Sequence, residues 1–295
     1  MEPWIYITVG AAAAQTLRFM AQKRMTGIGL SSAGATWARF LFSAPLIASL
    51  IWIYGTAQGF ERPALGPGFW PYAVAGGAAQ ILATICVVAL FAHRNFAVGL
   101  TFKKTEVLMT AALGFVVLGD AVSLWGGAAL ALGFLGVYFL SDPPGGGSLL
   151  NRAAGLGLLS GVFFAVSAVG YRGAVLAMEG GDTALRAGMA LAIVASMQTL
   201  ALGLWLVFRE PGQVGAVLRN WRLAWLVGVL SMMGSFGWFA AFSLQNAAYV
   251  FAAGQVELIF AAIASVLVFG ERIARREAAG MALVAMSIVV LVALG

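Results

Sequence analysis

Apolar runs of about 20 residues follow one another along almost the whole 295-residue chain. Each is long enough to cross a hydrocarbon core of roughly 30 Å at about 1.5 Å per helical residue. Ten such runs occur, at about 3–24, 31–54, 70–92, 97–118, 121–141, 153–177, 184–208, 223–244, 247–269 and 275–294. Hydrophobic residues make up 62% of the chain and charged residues 9%, against the roughly 25% charged content of a soluble domain. The longest loops, around 55–69 and 209–222, are too short to fold as soluble domains. The expected fold is therefore an all-α integral membrane protein of ten transmembrane helices, with the lipid bilayer as its main partner and its function inside the bilayer.

The first run follows Met1-Glu2-Pro3 with no basic segment before it and no clear cleavage site after it, so it is read as retained. The single cysteine, Cys86, leaves no intrachain disulfide framework. A formal charge of +6 could invite nucleic acid, but the basic residues sit in short loops beside the spans, where they act as topology signals. No nucleic-acid partner is expected. The loops after spans 1, 3, 5, 7 and 9 hold Lys23, Arg24, Arg94, Arg152, Arg209, Arg219, Arg222, Arg272, Arg275 and Arg276, and the opposite loops hold Arg62 and Arg186. This bias places the first set in the cytoplasm, with both termini outside, in a multi-pass protein of the inner (plasma) membrane.

The two halves resemble each other. Residues 95–140 laid over 246–291 without a gap, at an offset of 151, superpose Asn95 on Asn246, Ala97 on Ala248, Glu106 on Glu257, Gly119 on Gly270 and Asp120 on Glu271. The earlier parts align less well, with Arg24 over Arg172 at an offset of 148. A breaker-rich stretch, Asp142-Pro143-Pro144-Gly145-Gly146-Gly147-Ser148, lies near the midpoint. These features divide the chain into a first five-helix repeat (1–141), a linker (142–150) and a second repeat (151–295). An odd number of spans per copy makes the repeats inverted, which is the architecture of transporters with a central cavity.

Catalytic constellations are nearly absent. The one histidine, His93, lies beside Arg94 at a span end, and no His/Cys metal motif occurs. Neither an enzyme nor a cofactor is expected. The glycine-rich Gly155-Leu156-Gly157-Leu158-Leu159-Ser160-Gly161 has Ser160 in place of a third dinucleotide-loop glycine and no preceding strand.

The informative residues are polar ones within spans, where a charge costs a few kcal/mol and faces a bundle interior or cavity. Glu106 and Glu257 lie at matching depths near mid-bilayer, and inversion would bring them toward one centre. Either they handle substrate or protons, or they pair with a cation to lock helices. Lys103 stands one turn from Glu106, whereas span 9 offers Glu257 no neighbouring cation, only Gln255. Lys103 and Lys104 could neutralise a substrate carboxylate or snorkel to the headgroups, and Arg18 and Arg39 are read as snorkelling.

Gln15, Gln80, Gln198 and Gln255 suit a cavity wall or interhelical contacts, with Gln15 and Gln80 near mid-span. Trp238 is far from either span end and is expected to line a pocket; Trp4, Tyr6, Trp52, Tyr54, Trp70, Tyr72 and Trp221 read as an interfacial belt. Glycines at close spacing, such as Gly234 and Gly237, are expected to let helices approach. The candidate substrate-binding set is Gln15, Gln80, Lys103, Glu106, Trp238, Gln255 and Glu257.

Five plus five spans, the loops Val117-Leu118-Gly119-Asp120 and Val268-Phe269-Gly270-Glu271, and a following span rich in Gly and Leu resemble the drug/metabolite transporter superfamily, with the EamA-type repeat as the nearest unit. Within it the chain looks like aromatic amino acid exporters of the YddG type. The resemblance implies alternating access and export of small metabolites, foremost amino acids, by a secondary transporter. The alternatives are proton-coupled efflux of lipophilic cations and, further off, a channel. One departure stands out: the EamA pattern commonly has cytoplasmic termini, opposite to the charge bias here.

Overall fold

The structure is a computed structural model that describes residues 2–90, 106–140, 152–269 and 275–294. His93, Arg94, Lys103, Lys104, the 142–150 linker and the loop of Gly270, Glu271 and Arg272 lie outside the described residues.

The long helices are α1 (Pro3–Gly27), α2 (Ser32–Gln58), α3 (Phe69–Leu90), α4 (Glu106–Leu118), α5 (Leu124–Leu140), α6 (Arg152–Leu176), α7 (Thr183–Arg209), α9 (Trp221–Leu244), α11 (Val256–Phe269) and α12 (Arg275–Leu294). Short helices α8 (Gln213–Arg219) and α10 (Ala247–Ala253) precede α9 and α11. Among the described residues, six helical stretches are long and apolar enough to cross a membrane: Ser32–Gln58, Phe69–Leu90, Gly155–Leu176, Thr183–Arg209, Trp221–Leu244 and Ala247–Ala264. Shorter apolar helices cover Glu106–Leu118, Leu124–Gly136 and Ala278–Ser287. This is a multi-pass membrane protein. Its outward faces carry large apolar side chains such as Leu124, Leu200, Phe208 and Leu267, the pattern expected where lipid replaces water.

Local chemistry sets the helix ends. Ser31 begins α2 by accepting a hydrogen bond from the Gly34 amide at 2.9 Å, Asp182 begins α7 by accepting from Leu185 at 2.8 Å, and Asn246 begins α10 by accepting from Ala248 at 2.9 Å. Each satisfies a helix N-terminal donor that apolar surroundings would leave orphaned.

The fold is all-helical apart from one short bridge: β1 (Ala64–Leu65) pairs antiparallel with β2 (Met178–Glu179), because two loops meeting at one surface satisfy each other's backbone groups. The ninth span is not one regular helix. It is interrupted at Gly254–Gln255, where the Gln255, Glu257 and Leu258 amides reach back only three residues, to the carbonyls of Ala252, Gly254 and Gln255.

The loops sort onto two faces. One face gathers the α1 N-terminus, 59–68, 119–123, 177–182 and 245–246. It is joined by the β1–β2 pair, by a hydrogen bond from Tyr54 to Asp182, and by one from the Asn246 side chain to the Ala121 carbonyl at 3.3 Å. It carries Glu2, Glu61, Asp120, Glu179 and Asp182. The opposite face joins 28–31 to the 210–220 region through the Ser31 amide, which donates to Gln213 Oε1 at 2.9 Å. It carries Lys23, Arg24, Arg209, Arg219 and Arg222.

The major helix contacts are α3 with α6, α1 with α9, α2 with α7 and α5 with α12. Small residues permit the close approaches. A Cβ added at Gly170 on α6 would stand 2.7 Å from the Gly76 Cα and 2.8 Å from the Tyr72 carbonyl oxygen of α3. Neither backbone atom can yield without the helices separating. We therefore expect Gly170→Leu to cost roughly 3 kcal/mol and Gly170→Ala less, read as a graded fall in the melting temperature of the purified protein. Equal melting temperatures for both variants and the wild type would contradict this packing. Gly237 likewise packs against Ala11 of α1, as its spacing predicted.

The expected aromatic belt is only partly present. Tyr6, Trp52, Trp70 and Trp221 are exposed. Trp4 is instead buried, with its indole donating to Glu2, Tyr54 donates to Asp182, and the Tyr72 ring lies over Gly173.

Candidate functional site

The α9 helix is aromatic over one stretch, and α6, α1 and α3 each bring amide or hydroxyl groups against it. Gln15, Gln80, Ser167, Tyr171 and Ser235 supply the polar wall of a small central cavity. Its apolar wall is Phe164, Trp238, Phe239, Phe242 and Phe251, with Ala168 between. Trp238 stacks on Phe242 at 5.9 Å and meets Phe251 edge-on at 5.4 Å, while Tyr171 and Phe239 lie 4.2 Å apart. The free volume is only about 20 Å³, room for about one water and far too little for an amino acid.

A chain of hydrogen bonds links three helices beside this cavity. Trp238 Nε1 donates to Gln15 Oε1 at 3.1 Å, and Gln15 Nε2 donates to Glu257 Oε1 at 3.2 Å. Glu257 is fully buried in the first turn of α11, next to the interruption at Gly254, which packs against the tip of the Trp238 indole. A glycine is required there, because a Cβ would stand 2.5 Å from the ring. The interruption is thus where an aromatic ring from α9 enters the space that a side chain would fill.

Of the candidate residues, Gln15, Gln80 and Trp238 meet at the cavity, and Glu257 stands behind Gln15. Gln80 accepts from Ser167 Oγ at 2.6 Å. Gln255 lies elsewhere: its amide sits against Gly133 of α5, close to Ser287 of α12. Glu106 is buried on α4, which packs on α6 and α10, and does not line the cavity. Lys103 lies outside the described residues. Gln198 makes interhelical contacts, donating to the Gly77 carbonyl at 2.9 Å and to the Tyr171 hydroxyl at 3.1 Å.

Two arginines overturn their sequence reading. Arg18 and Arg39 do not snorkel; they are 1% and 3% exposed within the bundle. Arg18 NH1 donates to Gln22 Oε1 at 2.6 Å, its guanidinium lies over the Phe19 ring, and it feels the charges of Glu257 and Arg39. Glu257 therefore does have a cation nearby, supplied from α1 rather than from its own helix. Arg39 Nε donates to Ser231 Oγ at 3.0 Å, NH1 to Thr84 Oγ1 at 2.8 Å and NH2 to Ser235 Oγ at 3.1 Å. Serine and threonine at those α9 and α3 positions were the available signal, but nothing in the sequence links them to α2.

On the acidic face, Gly119 has φ 70°, a left-handed conformation that glycine adopts without a Cβ penalty. It turns the chain out of α4 and presents Asp120 to Arg172 of α6. The contact is bidentate, Nε to Oδ2 at 2.6 Å and NH2 to Oδ1 at 3.0 Å. The remaining Arg172 nitrogen, NH1, donates to the carbonyls of Phe242 and Gln245 at 2.6 and 2.8 Å. One arginine thereby clamps α6, the α4–α5 loop and the end of α9.

Residues 151–293 match the EamA-like transporter family. A solved structure described only as "crystal structure of protein" superposes with a TM-score of 0.68 at 14% identity, covering 97% of this chain and 94% of that one. At that identity the likeness is one of fold. A search among curated proteins finds no match.

Proposed function

We propose that the protein is a secondary exporter of small metabolites, foremost aromatic and other neutral amino acids, as in exporters of the YddG type. It works by alternating access between two inverted five-helix repeats. The observation that carries this reading is the aromatic and amide-lined cavity within the bundle, whose wall residues Gln15 and Ser235 hydrogen-bond the buried Glu257 and Arg39. Buried polar groups at mid-bilayer in a helical bundle are the usual substance of a substrate site.

The helix packing supports inversion. Exchanging the first five spans for the second maps the α3–α6 contact onto α9–α1, and maps α2–α7 and α5–α12 onto themselves. The family match, starting at residue 151, supports a second repeat beginning there. In this reading the basic face is cytoplasmic, in the inner membrane.

A counterflow panel in proteoliposomes tests the reading. Purified protein preloaded with unlabelled phenylalanine should accumulate labelled phenylalanine, and preloading with other neutral amino acids should substitute in part. Accumulation of lipophilic cations without amino acids would replace the amino acid reading, and no counterflow of any solute would end the transporter reading.

A further inference from the structure

Arg39 is a buried cation whose partners are all neutral. A guanidinium has five N–H donors; here three go to Ser231, Thr84 and Ser235, leaving one on each terminal nitrogen. That remaining pair is the fork a carboxylate takes bidentately. Hydroxyls satisfy donors but do not neutralise charge, and a buried charge without a counter-ion is costly. Arg18 adds an independent sign of the same deficit. Among the described residues its NH2 has no hydrogen-bond partner although the residue is 1% exposed, and it feels the charge of Arg39. Among the described residues, Arg18 thus has both the Arg39 guanidinium and the Glu257 carboxylate in its electrostatic surroundings.

The placement fits recognition. Arg39 lies about two turns into α2 from the basic face, and its partner Ser235 is part of the cavity wall. An opening from the basic face would expose the arginine before the aromatic wall of Trp238, Phe242 and Phe251. We propose that Arg39, with Arg18 beside it, is the recognition site for the carboxylate of the cargo, so that the transported class is carboxylate-bearing molecules with an apolar or aromatic body, and amines lacking a carboxylate are rejected. This rests on the transporter reading above and narrows it. Amino acids and simple organic acids share the recognised group.

The test uses the full-length purified protein and three probes of one shape: L-phenylalanine, 3-phenylpropionate and phenethylamine. Thermal-shift titration should give binding of both carboxylates and at least ten-fold weaker binding of phenethylamine. Phenylalanine binding tighter than phenylpropionate assigns the site to amino acids, and the reverse assigns it to organic acids. Arg39→Gln should weaken both carboxylates at least ten-fold, and Arg39→Lys, which keeps the charge but loses the fork, should weaken them less. The wild-type comparison decides the matter even where a variant does not fold.

Phenethylamine binding as well as the acids, absence of binding by all three, or unchanged carboxylate affinity in Arg39→Gln overturns the proposal. Counterflow of phenethylamine alongside such a result leaves the transporter reading intact. Carboxylate binding with no counterflow of any solute keeps the arginine site and removes the transporter.

Discussion

Replacing Glu257 with glutamine is expected to cut counterflow at least ten-fold while leaving a protein that can still be purified. Glutamine keeps an oxygen for Gln15 to donate to but removes the carboxylate that, among the described residues, offsets the charge of Arg18. Two buried guanidinium groups would then share the centre, which favours any opening that lets water or an anion reach them. Glu257→Ala should do more harm, since it also removes the acceptor for the Gln15 amide and leaves the Trp238–Gln15–Glu257 chain without its end. Flux of labelled phenylalanine measured beside the melting temperature separates the two effects. Normal flux in both variants would make Glu257 a brace between α1 and α11 rather than part of the working centre.

Asp120→Ala should have the largest effect on stability. Arg172 and Asp120 are 14% and 13% exposed, and their contact is bidentate at 2.6 and 3.0 Å. Losing one member of such a pair leaves a largely buried guanidinium with only carbonyl acceptors, a cost of roughly 2–4 kcal/mol. A double-mutant cycle with Arg172→Ala, followed by thermal unfolding, should return most of that as coupling energy. Coupling near zero would mean that the carbonyls of Phe242 and Gln245 alone hold Arg172. In the alternating-access reading this clamp closes the acidic face, so Asp120→Ala should also raise thiol labelling of a Ser167→Cys probe in the cavity wall.

The Gly119-Asp120 pair illustrates how far a motif can be read before the fold is known. Its repetition marks the end of the fourth span in each half, while the left-handed turn of its glycine shows only in the structure. The purpose of the acid was not legible, because Arg172 lies in the other half of the chain. The same holds for span nine. Its length and apolarity are plain in the sequence, but its interruption at Gly254 answers to the Trp238 ring, which another helix delivers.

Arg18 and Arg39 were misread for a related reason. Distance from a span end is a property of sequence, and by that measure both could reach the headgroups. Whether a side chain runs outward or inward depends on what awaits it. Gln22 and Glu257 for Arg18, and Ser231, Ser235 and Thr84 for Arg39, provide an inward destination that only packing assembles.

The sequence by itself determined the solvent, the approximate span positions and the small residues that allow close helix contact. Lipid imposes length and composition on each segment separately, so those properties are local and can be read locally. Only the tertiary structure decided which charges meet, where a helix breaks and which aromatic and amide groups share the cavity beside Trp238. Those outcomes depend on partners such as Gln15 and Glu257, 242 residues apart along the chain, and a buried charge takes the direction in which its hydrogen bonds and counter-charge are found.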